Sequence, residues 1–205
     1  MYIAFPFWLH LVSDDRLLDI AEQFIGPNIA LFATHYIAKP PHTGRAVPWH
    51  QDGSFWPLEP MQVITFWLSL DEVTPENGCM RVLPGTQNAK LLPKDEMKSI
   101  SKDESIFDLT IDPETIDDSE AVDIILKPGD VSIHNPNVIH GSNPNNSDRW
   151  RRGLTIRYIP TTTQMTNPDH QAPFLLRGEA IPGINDYEPI PVYDEAVHLP
   201  VVAQD

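Results

Sequence analysis

The chain has 205 residues, of which 41% are hydrophobic, and 14 basic against 29 acidic side chains give a formal net charge of −15. This length and apolar content predict a single domain over residues 1–205 with one core. The acidic balance argues against a nucleic-acid partner, because phosphate backbones are bound by clustered basic side chains. No apolar run is long enough to span a membrane. A single cysteine, Cys79, excludes an internal disulfide and favours a reducing compartment, which predicts a cytoplasmic protein.

The first residues are unusually apolar for a chain terminus. The segment 1–9 carries Tyr2, Phe5, Phe7, Trp8 and Leu9, without the basic start or the small-residue cleavage site of a secretory signal. Exposed chain ends are rarely this apolar. We therefore expect a domain that lacks some N-terminal elements, with these side chains over an exposed apolar patch.

Residues 14–25 have the spacing of an amphipathic helix. Apolar side chains recur at positions 17, 18, 21, 24 and 25. Ser13 and Asp14 suit the start of a helix, and Gly26 with Pro27 suits its end.

Downstream, the pattern changes to short runs rich in β-branched and aromatic residues. The predicted strands are residues 29–37, 62–70, 80–83, 121–126, 130–134 and 153–159. Glycines and 21 prolines separate these runs, as is typical of a β-rich fold with long loops. Many short strands of this kind favour a mainly β jelly roll or barrel.

Two stretches depart from the strand pattern. Residues 87–120 are polar and acidic, which indicates an insertion that crosses the surface, with a lid over a site as one interpretation. The chain from Thr161 onward is rich in proline and acidic residues, and we expect it to wrap the barrel without regular structure.

Three residues have the chemistry of a metal site. His50 and Asp52 lie two apart, so on an extended segment their side chains point to the same side. His140, in the string His-Gly-Ser, would come from a segment folded back beside them. Two imidazoles and one carboxylate form the facial triad of non-haem Fe(II) oxygenases, which leaves coordination positions open. The three residues are therefore predicted metal ligands.

An arginine follows the distal histidine within a short polar stretch. Arg151 precedes an apolar run, and a guanidinium holds a carboxylate in bidentate geometry. Strand alternation places Arg151, Gly153, Thr155 and Arg157 on one face and Arg152 on the other. The residues alone leave open whether Arg151 or Arg152 is the anchor.

These strings resemble the phytanoyl-CoA dioxygenase family of Fe(II)- and 2-oxoglutarate-dependent oxygenases. The resemblance runs over residues 19–188. It is carried by the segments 35–41, 47–53, 77–80, 83–86, 127–130 and 140–142. One departure is Gln87, where family members often carry histidine.

The resemblance implies a double-stranded β-helix, a cupin-like jelly roll with flanking helices. It implies Fe(II), 2-oxoglutarate and O₂ as cofactors, with ascorbate as a supporting reductant. It selects Arg151 as the 2-oxoglutarate anchor, with Arg152 second, and implies that Ser142, Trp67 and His35 lie near the co-substrate. The presence of Asp52 favours hydroxylation, since related halogenases carry a small residue there.

The sequence thus predicts an enzyme that hydroxylates a small organic substrate and releases succinate and CO₂. Two alternatives remain open: a non-catalytic, cupin-like metal-binding protein, and a metal-dependent hydrolase that needs neither O₂ nor 2-oxoglutarate. A zinc hydrolase would have no need for Arg151, and the chain lacks the HExxH and paired-cysteine spacings. The substrate and the oligomeric state are left open.

Overall fold

The computed structural model describes residues 6–101, 103, 105–167 and 174–191, and they form a mainly β domain. Two helices come first, α1 (Pro6–Val12) and α2 (Asp15–Ile25). The strands that follow are β1 (Ile29–Lys39), β2 (Val47–His50), β3 (Leu58–Glu59), β4 (Ile64–Ser69), β5 (Met80–Val82), β6 (Lys98–Ser99), β7 (Leu109–Thr110), β8 (Val122–Ile124), β9 (Val131–His134), β10 (His140–Ser142), β11 (Arg151–Pro160), β12 (Gln164–Met165) and β13 (Phe174–Arg177). No helix in the described part of the chain is long and apolar enough to cross a membrane.

Two antiparallel sheets form the body of the domain. The larger sheet has the order β13-β1-β11-β4-β9, and the smaller one has the order β2-β10-β5-β8. Non-consecutive strands are neighbours in both sheets, as in a jelly roll. The predicted mainly β, double-stranded β-helix with flanking helices is confirmed.

The main hydrophobic core lies between the helices and the outer face of the five-stranded sheet. The buried side chains there are Leu9, Val12, Leu18, Ala21, Ile25, Ile29, Leu31, Ile64, Phe66, Leu154, Ile156, Tyr158 and Phe174. The Tyr158 hydroxyl donates a hydrogen bond to the carbonyl of Val12 over 2.8 Å, which satisfies this buried polar group. The helices therefore cover one face of the sheet and leave the other face to the site.

Helix α2 begins and ends as its sequence predicts. The Asp14 side chain accepts a hydrogen bond from the backbone N–H of Arg16, which caps the first turn. Gly26 follows the helix with φ 83°, a conformation that favours glycine.

The inner face of the five-stranded sheet is polar because strand β11 alternates. Leu154, Ile156 and Tyr158 point to the core under the helices. Arg151, Thr155 and Arg157 line the space between the two sheets instead. The long strand therefore supports the core and the site with alternate residues.

The insertion at residues 87–120 is folded over the space between the sheets. It contains short 3₁₀ turns and the two-stranded pair β6–β7. Ile106 and Phe107 of this segment line the pocket described below, and the Phe107 ring lies 5.1 Å from the His50 ring. The predicted surface insertion therefore also covers part of the site.

The expectation that the tail has no regular structure was wrong. Strand β13 pairs with β1 and extends the larger sheet, and β12 pairs with β3. The alternation in Phe174–Arg177 is too short to stand out among prolines and acids, so tertiary pairing decided the outcome. Helix α1 was also not predicted. It buries Leu9 in the core, whereas Tyr2, Phe5 and the Phe7 side chain lie outside the described residues.

Candidate metal centre

Pairing between β2 and β10 brings the two predicted histidine ligands together. His50 is the last residue of β2 and His140 the first of β10, and they are direct partners in the antiparallel register. Both side chains are buried, and their ring centroids lie 4.2 Å apart. Segments that are distant in sequence thus meet at the end of the smaller sheet.

Backbone carbonyls fix the orientation of both imidazoles. His50 Nδ1 donates to the carbonyl of Pro48 over 2.8 Å, and His140 Nδ1 donates to that of Val138 over 2.9 Å. A carbonyl only accepts, so Nδ1 carries the proton and the Nε2 lone pair is free for a metal. Burial, followed by the neighbouring His50, lowers the pKa of His140 well below its ordinary value, which keeps this imidazole neutral.

Asp52 lies close to the two histidines because Gln51, the residue between His50 and Asp52, is extended. Gln51 has φ −115° and ψ 123°, and Asp52 then begins a short 3₁₀ helix, Asp52–Phe55. Asp52 Oδ1 lies 3.6 Å from His50 Nε2. One ligand atom from each of His50, Asp52 and His140 lies within 4.8 Å of the other two. The predicted convergence of the three residues is therefore present.

This donor set fits Fe(II). It offers two neutral imidazole nitrogens and one carboxylate in a buried site, the combination found in non-haem Fe(II) oxygenases. Burial opposes ionisation of Asp52, but His134, His50 and the charge of Arg157 outweigh it and hold its pKa well below the ordinary value. The carboxylate is thus ionised and ready to bind a cation.

The second carboxylate oxygen of Asp52 faces two further buried side chains. Asp52 Oδ2 lies 3.5 Å from Arg157 Nη2 and 3.8 Å from His134 Nε2. Arg157 also donates to His35 Nδ1 over 2.7 Å and stacks on the Trp56 ring. Oδ1 therefore faces the histidine ligands, while Oδ2 faces the cation.

Arg151 reaches the same pocket from the start of β11. Its side chain is buried, and its guanidinium carbon lies 4.5 Å from the centre of the Trp67 ring. Arg151 and Trp67 line the pocket with the three candidate ligands. The Nε of Arg151 has no hydrogen-bond partner among the described residues. A buried guanidinium without an anion is suited to bind one.

A lysine lies directly opposite Arg151 across the sheet. Lys39, the last residue of β1, is the register partner of Arg151 and is also buried. Its Nζ donates to Ser142 Oγ over 2.7 Å and to the carbonyl of Asn143 over 2.5 Å. Burial, followed by the charge of Arg151, lowers the pKa of Lys39 to about 7. Lys39 and Arg151 are thus buried side by side on neighbouring strands, and Ser142, which lines the pocket, is bonded to the lysine.

The other predicted co-substrate contacts lie at different distances from this region. Ser142 lines the pocket and is bonded to Lys39. His35 is exposed and is not among the residues that line the pocket, which it reaches only through Arg157. Arg152 points outward and pairs with Asp71, with a separation of 2.7 Å between Nη2 and Oδ1. The geometry therefore favours Arg151 over Arg152.

Three buried residues were left unassigned from the sequence: His134 and Arg157, which line this pocket, and Lys39, which lies beside Arg151. The sequence predicted no role for Lys39 or His134, and it placed Arg157 only on the strand face of Arg151. The position of each residue at the site depends on strand register and burial, which the local sequence does not show. The one available signal was that Arg157 shares the alternation of Arg151.

The family of the chain follows from comparison with known proteins. The family model described as phytanoyl-CoA dioxygenase matches residues 6–153. The chain belongs to this family.

Individual relatives agree with this assignment. A probable alpha-ketoglutarate-dependent hypophosphite dioxygenase of Stutzerimonas stutzeri is 33% identical over 148 residues, or 72% of this chain and 51% of that protein. Human peroxisomal phytanoyl-CoA dioxygenase is 32% identical over 147 residues, or 70% of this chain and 43% of that protein. The solved structure of the non-heme monooxygenase ThoJ superposes with a TM-score of 0.76 at 28% identity, covering 91% of this chain and 67% of that one. The chain thus spans about half the length of these two curated relatives.

Proposed function

We propose that this protein is an Fe(II)- and 2-oxoglutarate-dependent oxygenase that hydroxylates a small organic substrate. The observation that carries the proposal is one buried pocket. Among the described residues, it is lined by a candidate His-Asp-His metal site and by Arg151, whose Nε has no hydrogen-bond partner there, and buried Lys39 is the register partner of Arg151 on the neighbouring strand. The names of the relatives support the same reaction class.

His50, Asp52 and His140 would hold the iron. The metal, when bound, supplies O₂ activation and oxidising power. The chain supplies the rest: the carbonyls of Pro48 and Val138 hold the rings, and the low pKa of Asp52 keeps its charge. The guanidinium of Arg157, 3.5 Å away, neutralises Oδ2. These contacts predispose Asp52 to bind through Oδ1.

Arg151, Lys39 and Ser142 would bind the far carboxylate of 2-oxoglutarate. A carboxylate offers two oxygens, which suits the guanidinium fork of Arg151 and the ammonium of Lys39 together. Binding an anion would also relieve the repulsion between two like charges on neighbouring strands. Trp67 holds the Arg151 guanidinium through a cation–π contact, so the N–H donors are positioned before the co-substrate arrives.

The overall reaction balances as follows. Substrate C–H, O₂ and 2-oxoglutarate give substrate C–OH, succinate and CO₂, with one oxygen atom entering each of the first two products. Hydroxylation is the expected outcome because Asp52 occupies the position that related halogenases leave open.

The test is succinate formation from 2-oxoglutarate by purified protein in the presence of Fe(II), O₂ and ascorbate. We expect turnover that is lost without oxygen or with Asp52→Ala. The matched control is Asp95→Ala, which removes an exposed carboxylate from the insertion. Metal binding without turnover would favour the non-catalytic alternative. Activity that needs neither O₂ nor 2-oxoglutarate would favour a hydrolase.

A further inference from the structure

A second, larger cavity lies beside the metal centre. It has a volume of about 490 Å³, against about 80 Å³ for the space around the candidate ligands. Volumes of roughly 300–1,000 Å³ are typical of small-molecule sites. The larger cavity opens where the edge strands β9 and β8 of the two sheets face each other, with Ser132, Val122 and Ile124 among its walls.

The two spaces share a wall. Met80 of β5 and His134 of β9 line both the larger cavity and the pocket of the metal centre. His134 Nε2 is 3.8 Å from Asp52 Oδ2, so the inner end of the cavity lies beside the candidate ligands. A molecule in the cavity would therefore present its inner end to the metal, while 2-oxoglutarate would occupy the side of Arg151 and Lys39.

The walls of the cavity are mostly apolar, and the polar residues among them are Gln87, Ser132, His134 and Asn135. None of its described lining residues is an Asp, Glu, Lys or Arg. The apolar walls are Phe24, Ile64, Met80, Val82, Leu83, Pro84, Val122, Ile124, Ile133 and Val138. An ion placed there would lose its hydration without gaining a partner, which is costly, whereas a neutral apolar skeleton would gain by leaving water.

Two polar side chains on β9 have unused hydrogen-bonding capacity beside this cavity. Both ring nitrogens of His134 and the hydroxyl of Ser132 are buried without a hydrogen-bond partner among the described residues. Buried polar groups of this kind ordinarily have hydrogen-bond partners, so a bound ligand that supplies the missing partner would be favourable. A hydroxyl or carbonyl group on a ligand would satisfy either of them.

We infer that this cavity binds the organic substrate, and that the substrate is a neutral, largely apolar molecule with a hydroxyl or carbonyl group. The inference rests on the proposed function and names the substrate class of the same enzyme. It disfavours substrates whose charged groups must enter the protein, such as amino acids or phosphonates. His134 and Ser132 would orient the substrate, and Met80 would contact its apolar skeleton.

The experiment uses 1-adamantanol as a neutral apolar probe and adamantane-1-carboxylate as its anionic counterpart. Binding of each is followed by ligand-observed NMR with the full chain and 2-oxoglutarate present. Val122→Trp would fill the cavity from a position that is 48% exposed, so the fold should tolerate it. Ile124→Trp is a second filling variant. Ile125→Trp is the matched control, because Ile125 is 62% exposed and does not line the cavity.

We expect saturable binding of the alcohol that Val122→Trp weakens by about tenfold or more and Ile125→Trp by less than about twofold. Mn(II) loaded at the metal centre should broaden the signals of the bound alcohol. No saturable binding, equal effects of the two tryptophans, or no broadening in Mn(II)-loaded protein would overturn the inference. So would a carboxylate that binds as well as the alcohol and is equally sensitive to Val122→Trp.

Failure of the proposed function gives a different result. In that case the protein would not bind Mn(II) or turn over 2-oxoglutarate, and the cavity could not be the substrate site of an oxygenase. The comparison of Val122→Trp with Ile125→Trp would still decide whether the cavity binds a neutral ligand.

Discussion

At the scale of single residues, the pairing of Lys39 with Arg151 on neighbouring strands is the most informative feature of the site. Like charges directly opposite each other on neighbouring strands are destabilising, and here both are also buried. No described carboxylate forms an ion pair with either cation. Such an arrangement costs folding free energy, which an anionic ligand would offset. The site is therefore better explained by binding than by stability.

The first prediction separates the two arginines at the start of β11. Arg151→Ala should weaken 2-oxoglutarate binding by about ten- to a hundredfold, since hydrogen bonds to charged groups contribute roughly 1.5–3 kcal/mol. Arg152→Ala is the matched control, because Arg152 is exposed and pairs with Asp71 on the opposite face. Titration of each Mn(II)-loaded variant with 2-oxoglutarate measures its affinity for the co-substrate. A larger effect of Arg152→Ala would move the anchor to Arg152.

The second prediction concerns pH. Burial and the charge of Arg151 lower the pKa of Lys39 from 10.5 to about 7 in the free protein. A bound carboxylate would raise this pKa again, so binding takes up a proton wherever free Lys39 is partly neutral. Affinity for 2-oxoglutarate should therefore fall by about tenfold or more between about pH 7 and about pH 9.

The control for this pH dependence is Lys39→Met, which removes the titrating group. This variant should bind 2-oxoglutarate more weakly at pH 7 but with a flatter pH profile. The stability of the free protein depends on pH in the opposite direction. Between about pH 7 and 10.5 the unfolded chain holds the Lys39 proton more fully than the folded chain does. The free energy of unfolding therefore rises with pH in that range. Equal pH slopes for both proteins would assign the titration to another group.

At the scale of elements, strand β11 determines the geometry of the site through its pairing with β1 and β4. The register places Lys39 opposite Arg151 and Trp67 opposite Thr155. Gly153, between Arg151 and Thr155, leaves the space that the Trp67 ring fills, since an added Cβ would overlap that ring. The glycine therefore allows the indole to lie next to the Arg151 guanidinium.

The third prediction tests this close approach. Gly153→Ala should destabilise the fold by about 1–3 kcal/mol, because the new methyl group overpacks against Trp67. It should also weaken 2-oxoglutarate binding, because a displaced indole no longer supports Arg151. In a Trp67→Phe background the overlapping ring atoms are absent, so the same substitution should cost less. A double-mutant cycle measured by urea unfolding gives this coupling, and strictly additive effects would contradict the proposed contact.

Local patterns predicted much of the fold and part of the site. The spacing of His50 and Asp52 could be interpreted from the sequence because it depends only on an extended Gln51 between them. The unassigned residues Lys39 and His134 depend on strand register and burial, which are set by pairing across the whole chain. Strand β13 was missed for the same reason, since its pairing with β1 determines its conformation.

At the scale of the whole molecule, the site connects the two sheets. The smaller sheet supplies His50 and His140, and the larger one supplies Lys39, Trp67 and Arg151. A metal and a co-substrate that touch both groups of residues would link the two sheets. Ligand binding should therefore change global stability as well as local order.

The fourth prediction is that Mn(II) and 2-oxoglutarate together raise the melting temperature by more than the sum of their separate effects. A ligand at a hundred times its Kd stabilises the folded state by about 2.7 kcal/mol, which corresponds to roughly 5–10 °C for a chain of this size. Glutarate is the control, because it keeps both carboxylates but lacks the 2-oxo group that would chelate the metal. With Mn(II) present, 2-oxoglutarate should stabilise the protein more than glutarate does, and without metal the two should be similar. Equal stabilisation by both acids in Mn(II)-loaded protein would show that the metal and the co-substrate do not meet, and would contradict the arrangement proposed for the pocket.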